Sequence, residues 1–274
     1  MHPTSIVNGQ SSDTISILDR GLLYGDALFE TIALVDGQAL LIEQHIERLQ
    51  NSAKHLGFNI DTTILLNDIA LLTKAHQGQN VLRVTLTRGV GGRGYMPDAA
   101  MACTRIVSLH DWPDYPDHYK TNGVNLSVSD VMLSTQPLLA GLKHSNRLEQ
   151  VLAAQNIPSD CQDVVMLDNS LQVVECSKAN IFVMVNNQWL TPQLNNSGVE
   201  GIMRNAILEL ASDLGVSIKV STISTKTMET ATAAFICNSI SGIWPVKRYK
   251  QQCYSIHDQC LTLQQELHNR DYCA

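Results

Sequence analysis

Apolar residues recur along the chain in two rhythms, and the changes of rhythm mark out its elements. Residues 29–35 (FETIALV) and 38–42 (QALLI) read as two strands joined by Asp36-Gly37, a pair that tolerates the positive φ angles of a tight hairpin. Ile42, Ile46, Leu49, Ala53 and Leu56 follow at helical spacing, with Gly57 as the stop. A second helix is predicted from an Asp61 cap through Ile64, Leu65, Ile69 and Leu72. Alternation returns over residues 81–88, where Leu82, Val84 and Leu86 share a face, and residues 103–109 form the expected partner strand.

The rhythm stops at residues 111–122 (DWPDYPDHYKTN), which hold two prolines and no apolar period. This predicts an interdomain linker between a smaller N-terminal domain, residues 1–110, and a larger C-terminal one, residues 123–274. Strands are predicted at 124–131, 164–167, 171–175, 180–185, 216–220, 233–237 and 243–247. Helices are predicted at 147–157, 201–214, 225–230 and 257–268. The chain shows no internal repeat. The expectation is a two-domain α/β (α+β) protein.

Composition removes several function classes. The 274 residues are 44% hydrophobic and 16% charged, ordinary for a folded chain. A formal charge of −7 argues against nucleic acid as a partner. No apolar run approaches a membrane span, and residues 1–10 show neither the basic nor the apolar region of a signal peptide. The seven cysteines are scattered without a CxxC pair, which fits reduced thiols in a cytoplasmic protein.

Three familiar motifs fail on inspection. Residues 89–94 (GVGGRG) satisfy G-x-G-x-x-G, but Pro97 and a new strand near Cys103 leave no room for the helix that must face a pyrophosphate. His45 and Glu47 point to different faces of their helix, and neither HExxH nor GxSxG occurs, so no metal site or serine elbow is expected.

Three other segments hold chemistry. In 140–149 (AGLKHSNRLE), Asn146 and Glu149 have the spacing of a helix cap and its return partner, which puts Lys143 just ahead of a positive helix end beside Leu138, Leu139 and Leu142. Such a setting lowers a lysine pKa, as an amine that condenses with a carbonyl requires; a solvated loop lysine is the plainer alternative. Glu175 closes an apolar strand before a small polar turn, either as a carboxylate at a sheet end or as a turn partner of Lys178. Gly201 opens the amphipathic helix of Ile202, Ala206, Ile207 and Leu210, where backbone N–H groups suit a phosphate, or is an ordinary glycine before a helix.

In this order the segments resemble the fold-type IV enzymes that use pyridoxal 5′-phosphate, a family that includes branched-chain and D-amino acid transaminases and 4-amino-4-deoxychorismate lyases. The resemblance extends from residues 19–31 (DRGLLYGDALFET) through 45–49 (HIERL), the Lys143 segment, 175–182 and 201–204 (GIMR) to 236–239 (ICNS) with 244–246 (WPV). It implies a C-terminal domain with a barrel-like sheet and the following roles. Lys143 binds the cofactor covalently and is the catalytic residue. Glu175 pairs with the pyridine nitrogen. Arg48, Gly201, Ile202, Met203, Asn238 and Ser239 gather around the phosphate. Two residues depart from the pattern: Met203 stands where the family has threonine, so only a backbone donor remains there, and Ser239 replaces another threonine.

Within the family, residues 88–95 (RGVGGRGY) and 142–152 (LKHSNRLEQVL) are similar to the lyases rather than the transaminases. Arg83, Arg88, Arg93 and Arg105 stand against Asp98 alone, a positive island in an acidic chain that fits an anionic substrate. Arg93 is the leading candidate for a substrate carboxylate, with Tyr95 and Tyr24 as further substrate residues; arginines on a solvated strand face are the alternative. The implied reaction makes 4-aminobenzoate, a folate precursor, and pyruvate, by a homodimer with no metal. A D-amino acid or branched-chain transaminase is the second reading, and a cofactor-binding protein without turnover the third.

Overall fold

A computed structural model describes residues 4–74, 76–98 and 101–274. Residues 1–3 of the stretch read for a signal, Ala75, and Ala99 and Ala100 lie outside the described residues. The chain divides into two compact units, one of Met1–Pro113 with Lys143–Asn146, the other of Asp114–Leu142 with Arg147–Ala274. The break falls inside the segment read as a linker. That segment is partly structured, because Asp111 ends a strand and His118–Asn122 form a short helix.

The first unit contains β1 (Ser5–Val7), β2 (Gln10–Ser11), α1 (Arg20–Tyr24), β3 (Ala27–Val35), β4 (Gln38–Ala39), α2 (Ile42–His55), α3 (Thr62–Thr73), β5 (Gln79–Thr87) and β6 (Thr104–Asp111). Its sheet has the order β2-β1-β6-β5-β3-β4, antiparallel throughout. Leu28, Ile32 and Leu34 of β3 and Leu82, Val84 and Leu86 of β5 pack in one core with Ile46 and Leu49 of α2 and Leu65, Ile69 and Leu72 of α3. The pleat therefore turns Phe29 and Thr31 of β3, and Arg83 of β5, to the opposite face. Asp36 and Gly37 adopt φ of 46° and 81° in the β3–β4 turn, and Asp61 caps α3 by accepting the Ile64 N–H at 3.0 Å.

The second unit contains α4 (His118–Asn122), β7 (Val124–Val128), α5 (Leu148–Gln155), β8 (Asp163–Leu167), β9 (Val173–Cys176), β10 (Asn180–Val185) and β11 (Gln188–Pro192). It continues with α6 (Ile202–Asp213), β12 (Ile218–Ser221), α7 (Thr225–Thr230), β13 (Ala233–Asn238), β14 (Gly242–Tyr249), β15 (Gln252–Cys253) and α8 (Asp258–Asn269). The sheet order is β12-β11-β10-β13-β14-β7-β8-β9, with β15 beside β14. Pairing is parallel at β11–β12, β14–β7 and β7–β8 and antiparallel elsewhere. The sheet curls so that β9, at one end of the order, packs beside β10. Val124, Leu126, Val165, Ile181, Val183, Ile236, Trp244 and Val246 fill its core.

Several elements are shorter than the sequence predicts. The strand expected at 38–42 stops at Ala39 because α2 begins at Ile42. The strand expected at 171–175 starts at Val173, since Asp168 and Leu171 close a turn in which Leu171 has φ of 60°. The strand β11 has no counterpart in the sequence reading.

Candidate active site

In the first unit the site residues gather around β3. The Phe29 N–H donates to the Lys143 carbonyl at 2.9 Å and the Ser145 N–H to the Ala27 carbonyl at 2.9 Å, so the Lys143 segment runs alongside β3. The Lys143 Nζ lies 4.4 Å from the centre of the Phe29 ring, and the Arg83 guanidinium lies 4.3 Å from the same centre. Each cation meets the negative face of the ring. The helix cap expected from Asn146 and Glu149 is not formed. Asn146 donates to the Gly25 carbonyl, Glu149 Oε1 accepts from the Ser134 N–H and hydroxyl, and α5 has Arg147 at its N-cap without a side-chain cap bond. The Phe29 ring therefore lies against the Lys143 amine, and the helix begins only at Leu148.

On the core face, Glu30 is fully buried. His45 and Arg48, three apart on α2, both reach it. Arg48 donates from Nε to Oε1 at 2.7 Å and from a terminal nitrogen to Oε2, while His45 Nδ1 lies 2.7 Å from Oε2. Burial opposes ionisation of Glu30, but the Arg48 charge and the two partners' hydrogen bonds outweigh it and hold its pKa down at about 2. Burial dominates at His45 and lowers its pKa despite Glu30, with Arg48 and Lys143 adding to that direction. A neutral His45 thus donates Nδ1–H to the carboxylate, and its buried Nε2 has no partner among the described residues.

The four arginines of the positive island divide into two kinds. Arg88 binds Asp26 at 2.7 Å and caps the end of α2 through the Leu56 and Gly57 carbonyls. Arg105 binds Asp68 at 2.7 Å. Both are structural. Arg83 has no carboxylate partner among the described residues, and its half-burial lowers its pKa. Arg93 is exposed on the loop after β5. Arg20 holds that loop by donating to the Gly94 and Tyr95 carbonyls at 2.9 and 2.7 Å, and Tyr95 meets Tyr24 edge to face at 5.6 Å. Among the described residues no helix follows the glycines before β6, and they lie in a loop between β5 and β6, as the sequence indicates.

In the second unit, Glu175 on β9 is 4% exposed. Its Oε2 accepts the Val199 N–H at 2.8 Å, and Gln150 Nε2 of α5 lies 3.5 Å from Oε1. The Val199 loop is fastened by Asn180 Nδ2 on the Val199 carbonyl at 2.9 Å and by a bridge to Gly141. Two residues on, Gly201 opens α6 without a side-chain cap bond, and the first helical bond runs from the Asn205 N–H to the Gly201 carbonyl. The N–H groups of Ile202 and Met203 precede that bond. A Cβ at Gly201 would lie 2.0 Å from Asn180 Oδ1, so only glycine fits.

Asn238 is placed differently from the phosphate role the resemblance implies. Its Oδ1 accepts the Ile240 and Ser241 N–H groups at 2.9 and 2.8 Å, and its amide donates to the Lys178 carbonyl at 3.2 Å. The side chain shapes the turn that presents Ser239. Sequence reasoning gave no role to Phe29, Glu30, His45, Gln150 or Asp163. Asp163 fixes the β9–β10 turn by accepting the Ser177 N–H and hydroxyl at 3.0 and 2.6 Å. Phe29, Glu30, His45 and Gln150 do lie within the quoted family segments.

Among the described residues no three His, Cys, Asp or Glu side chains gather as a metal site, and no helix is long and apolar enough to cross a membrane. The family described as amino-transferase class IV matches residues 27–249. The chain belongs to that family. It is 33% identical to an aminodeoxychorismate lyase of Vibrio harveyi over 88% of this chain and 89% of that one. The solved 4-amino-4-deoxychorismate lyase of Pseudomonas aeruginosa superposes with a TM-score of 0.93 at 36% identity, covering 97% of this chain and 98% of that one. A T.th. branched-chain amino acid aminotransferase solved with pyridoxamine 5′-phosphate has the same fold, with a TM-score of 0.86 at 20% identity over 98% of this chain and 93% of that one.

Proposed function

We propose that this protein is a pyridoxal 5′-phosphate-dependent lyase that converts 4-amino-4-deoxychorismate to 4-aminobenzoate and pyruvate. The observation that carries the reading is similarity to lyases at 33% and 36% identity over nearly the whole chain, against 30% for a putative branched-chain aminotransferase and 20% for the one above. The donor sets agree with it. A buried carboxylate, Glu175, suits a protonated pyridine nitrogen. The uncapped N-terminus of α6, with room only for glycine at position 201, suits a phosphate. Arg48, to which the family resemblance gives a phosphate role, is held by Glu30 through Nε and a terminal nitrogen.

The bound cofactor supplies an electron sink for the pair left when a ring proton departs. The chain does the rest. Lys143 would hold the cofactor through its amine and, once that amine is free, would take the proton from ring carbon C4. Glu175 keeps the pyridine nitrogen protonated. Loss of the C4 proton together with the C3–O bond would leave an aromatic ring, and the departing enolate would take up a proton to become pyruvate. Arg83 and Arg93 are cations for the two substrate carboxylates.

We read the protein as a cytoplasmic homodimer. The first unit exposes the apolar side chains of Ile17, Leu22, Tyr95 and Met96, at 77%, 60%, 85% and 85%, which a second copy would cover. All seven cysteines are free thiols, as a reducing compartment maintains.

The test is release of pyruvate and 4-aminobenzoate in equal amounts from aminodeoxychorismate. Amino-group transfer to 2-oxoglutarate or pyruvate without that release would establish the transaminase instead. Lys143→Ala should abolish the visible band that borohydride bleaches and lower turnover by several powers of ten. Turnover near the wild-type rate in that variant would refute the role of Lys143.

A further inference from the structure

Gln150 is the side chain nearest the proposed chemistry that no role above absorbs. It lies on the first turns of α5, within hydrogen-bonding range of Glu175, with Nε2 3.5 Å from Oε1. The other carboxylate oxygen is bound by the Val199 N–H at 2.8 Å. The orientation of the carboxamide is dictated, since the reverse flip would set two oxygens against each other. That orientation costs something. The Gln150 Oε1 is buried and has no hydrogen-bond partner among the described residues. Buried acceptors are rarely left unmatched, so the geometry asks for a reason. Here the reason is a donor aimed at Glu175.

We infer that Gln150 is a positioning residue that keeps Glu175 ionised and oriented toward the pyridine nitrogen. The inference rests on the lyase reading, specifically on the role of Glu175. A donated N–H stabilises the charged carboxylate. Without it, Glu175 becomes the stronger base and draws the proton away from the ring nitrogen, so the electron sink weakens. Gln150 therefore acts on turnover through Glu175, with no direct part in holding phosphate or substrate. The neighbouring Glu149 is anchored on Ser134, which fixes this turn of α5 and so the reach of Gln150.

The experiment compares wild type, Gln150→Leu, Glu175→Gln and the double variant, each loaded with pyridoxal 5′-phosphate. It reads the visible absorption spectrum with its pH midpoint, cofactor affinity, and kcat and KM separately. Gln150→Leu should lower kcat by roughly three- to ten-fold, the worth of one hydrogen bond. It should move the spectrum in the same direction as Glu175→Gln but less far, and leave KM and cofactor affinity within about two-fold. In the Glu175→Gln background it should have no further effect on spectrum or kcat, because its target is gone. An additive effect there, or a loss confined to affinity or folding, would overturn the positioning role. If Glu175→Gln itself changes neither spectrum nor turnover, the assignment of Glu175 fails instead, so the two failures are distinguishable.

Discussion

Glu30 offers the sharpest test of the energetics. Replacing it with glutamine keeps the shape and removes the charge that Arg48 and His45 hold. Its pKa lies at about 2 in the folded protein against an ordinary 4.5. At 1.36 kcal/mol per unit this corresponds to roughly 3 kcal/mol of stability at pH 7. Breaking a buried charge pair by removing one partner costs about the same, some 3–5 kcal/mol. The folded pKa is depressed, so the contribution is present above 4.5 and is lost as pH falls toward 2. Linkage gives about 1 kcal/mol lost by pH 4 and about 2 kcal/mol by pH 3. Urea unfolding at pH 7, 4 and 3, followed by circular dichroism, should show Glu30→Gln well below wild type at pH 7. The gap should close as the pH falls. In thermal unfolding at pH 7 the difference should be on the order of 6–12 °C. A gap as wide at pH 3 as at pH 7, or none at pH 7, would refute the claim that ionised Glu30 is the source.

The remaining predictions concern the arginines and the helix end. Arg83→Met should raise KM for aminodeoxychorismate by about one to two powers of ten and leave the cofactor spectrum unchanged; Arg93→Ala should do the same, with Arg93→Lys recovering only part. Arg88→Ala should lower the melting temperature and leave KM alone, since its three side-chain hydrogen bonds and its contact with the Phe58 ring are all internal to the first unit. Gly201→Ala should cost about 1–3 kcal/mol and weaken cofactor affinity, because the added methyl would press on Asn180 and displace the start of α6.

What the sequence revealed was local. Asp36-Gly37 and the Asp61 cap act within a few residues, and both stand in the structure as read. The family segments placed Lys143, Glu175 and Gly201 without any knowledge of what surrounds them. Readings that needed a distant partner failed. Asn146 and Glu149 have the spacing of a cap, but Gly25 and Ser134 claim them. Asn238 has its phosphate role from the resemblance alone, and its side chain closes a turn. The strand β11 was hidden by Pro192, which reads as a breaker yet sits harmlessly at the strand's last position. The positive φ angles of Asn186 and Asn187 before it are those of a hairpin turn, and that asparagine pair was the available signal.

The positive island shows why counting charge along a chain is the wrong measure of a binding site. Four arginines against one acid promised a strongly cationic surface. Two of them are neutralised by Asp26 and Asp68, carboxylates from outside the window that counting cannot see. What is left is smaller and better defined: Arg83, stacked on the ring that also carries the Lys143 amine, and Arg93, exposed on a loop held by Arg20. A cation already paired gains little by turning to a ligand, because it must first give up its partner. A half-buried cation without one gains the full charge-assisted bond. The preference for a substrate with two carboxylates therefore rests on two guanidinium groups without a carboxylate partner among the described residues, and Arg83, fixed in a strand against the ring that Lys143 also meets, is the better placed of the two.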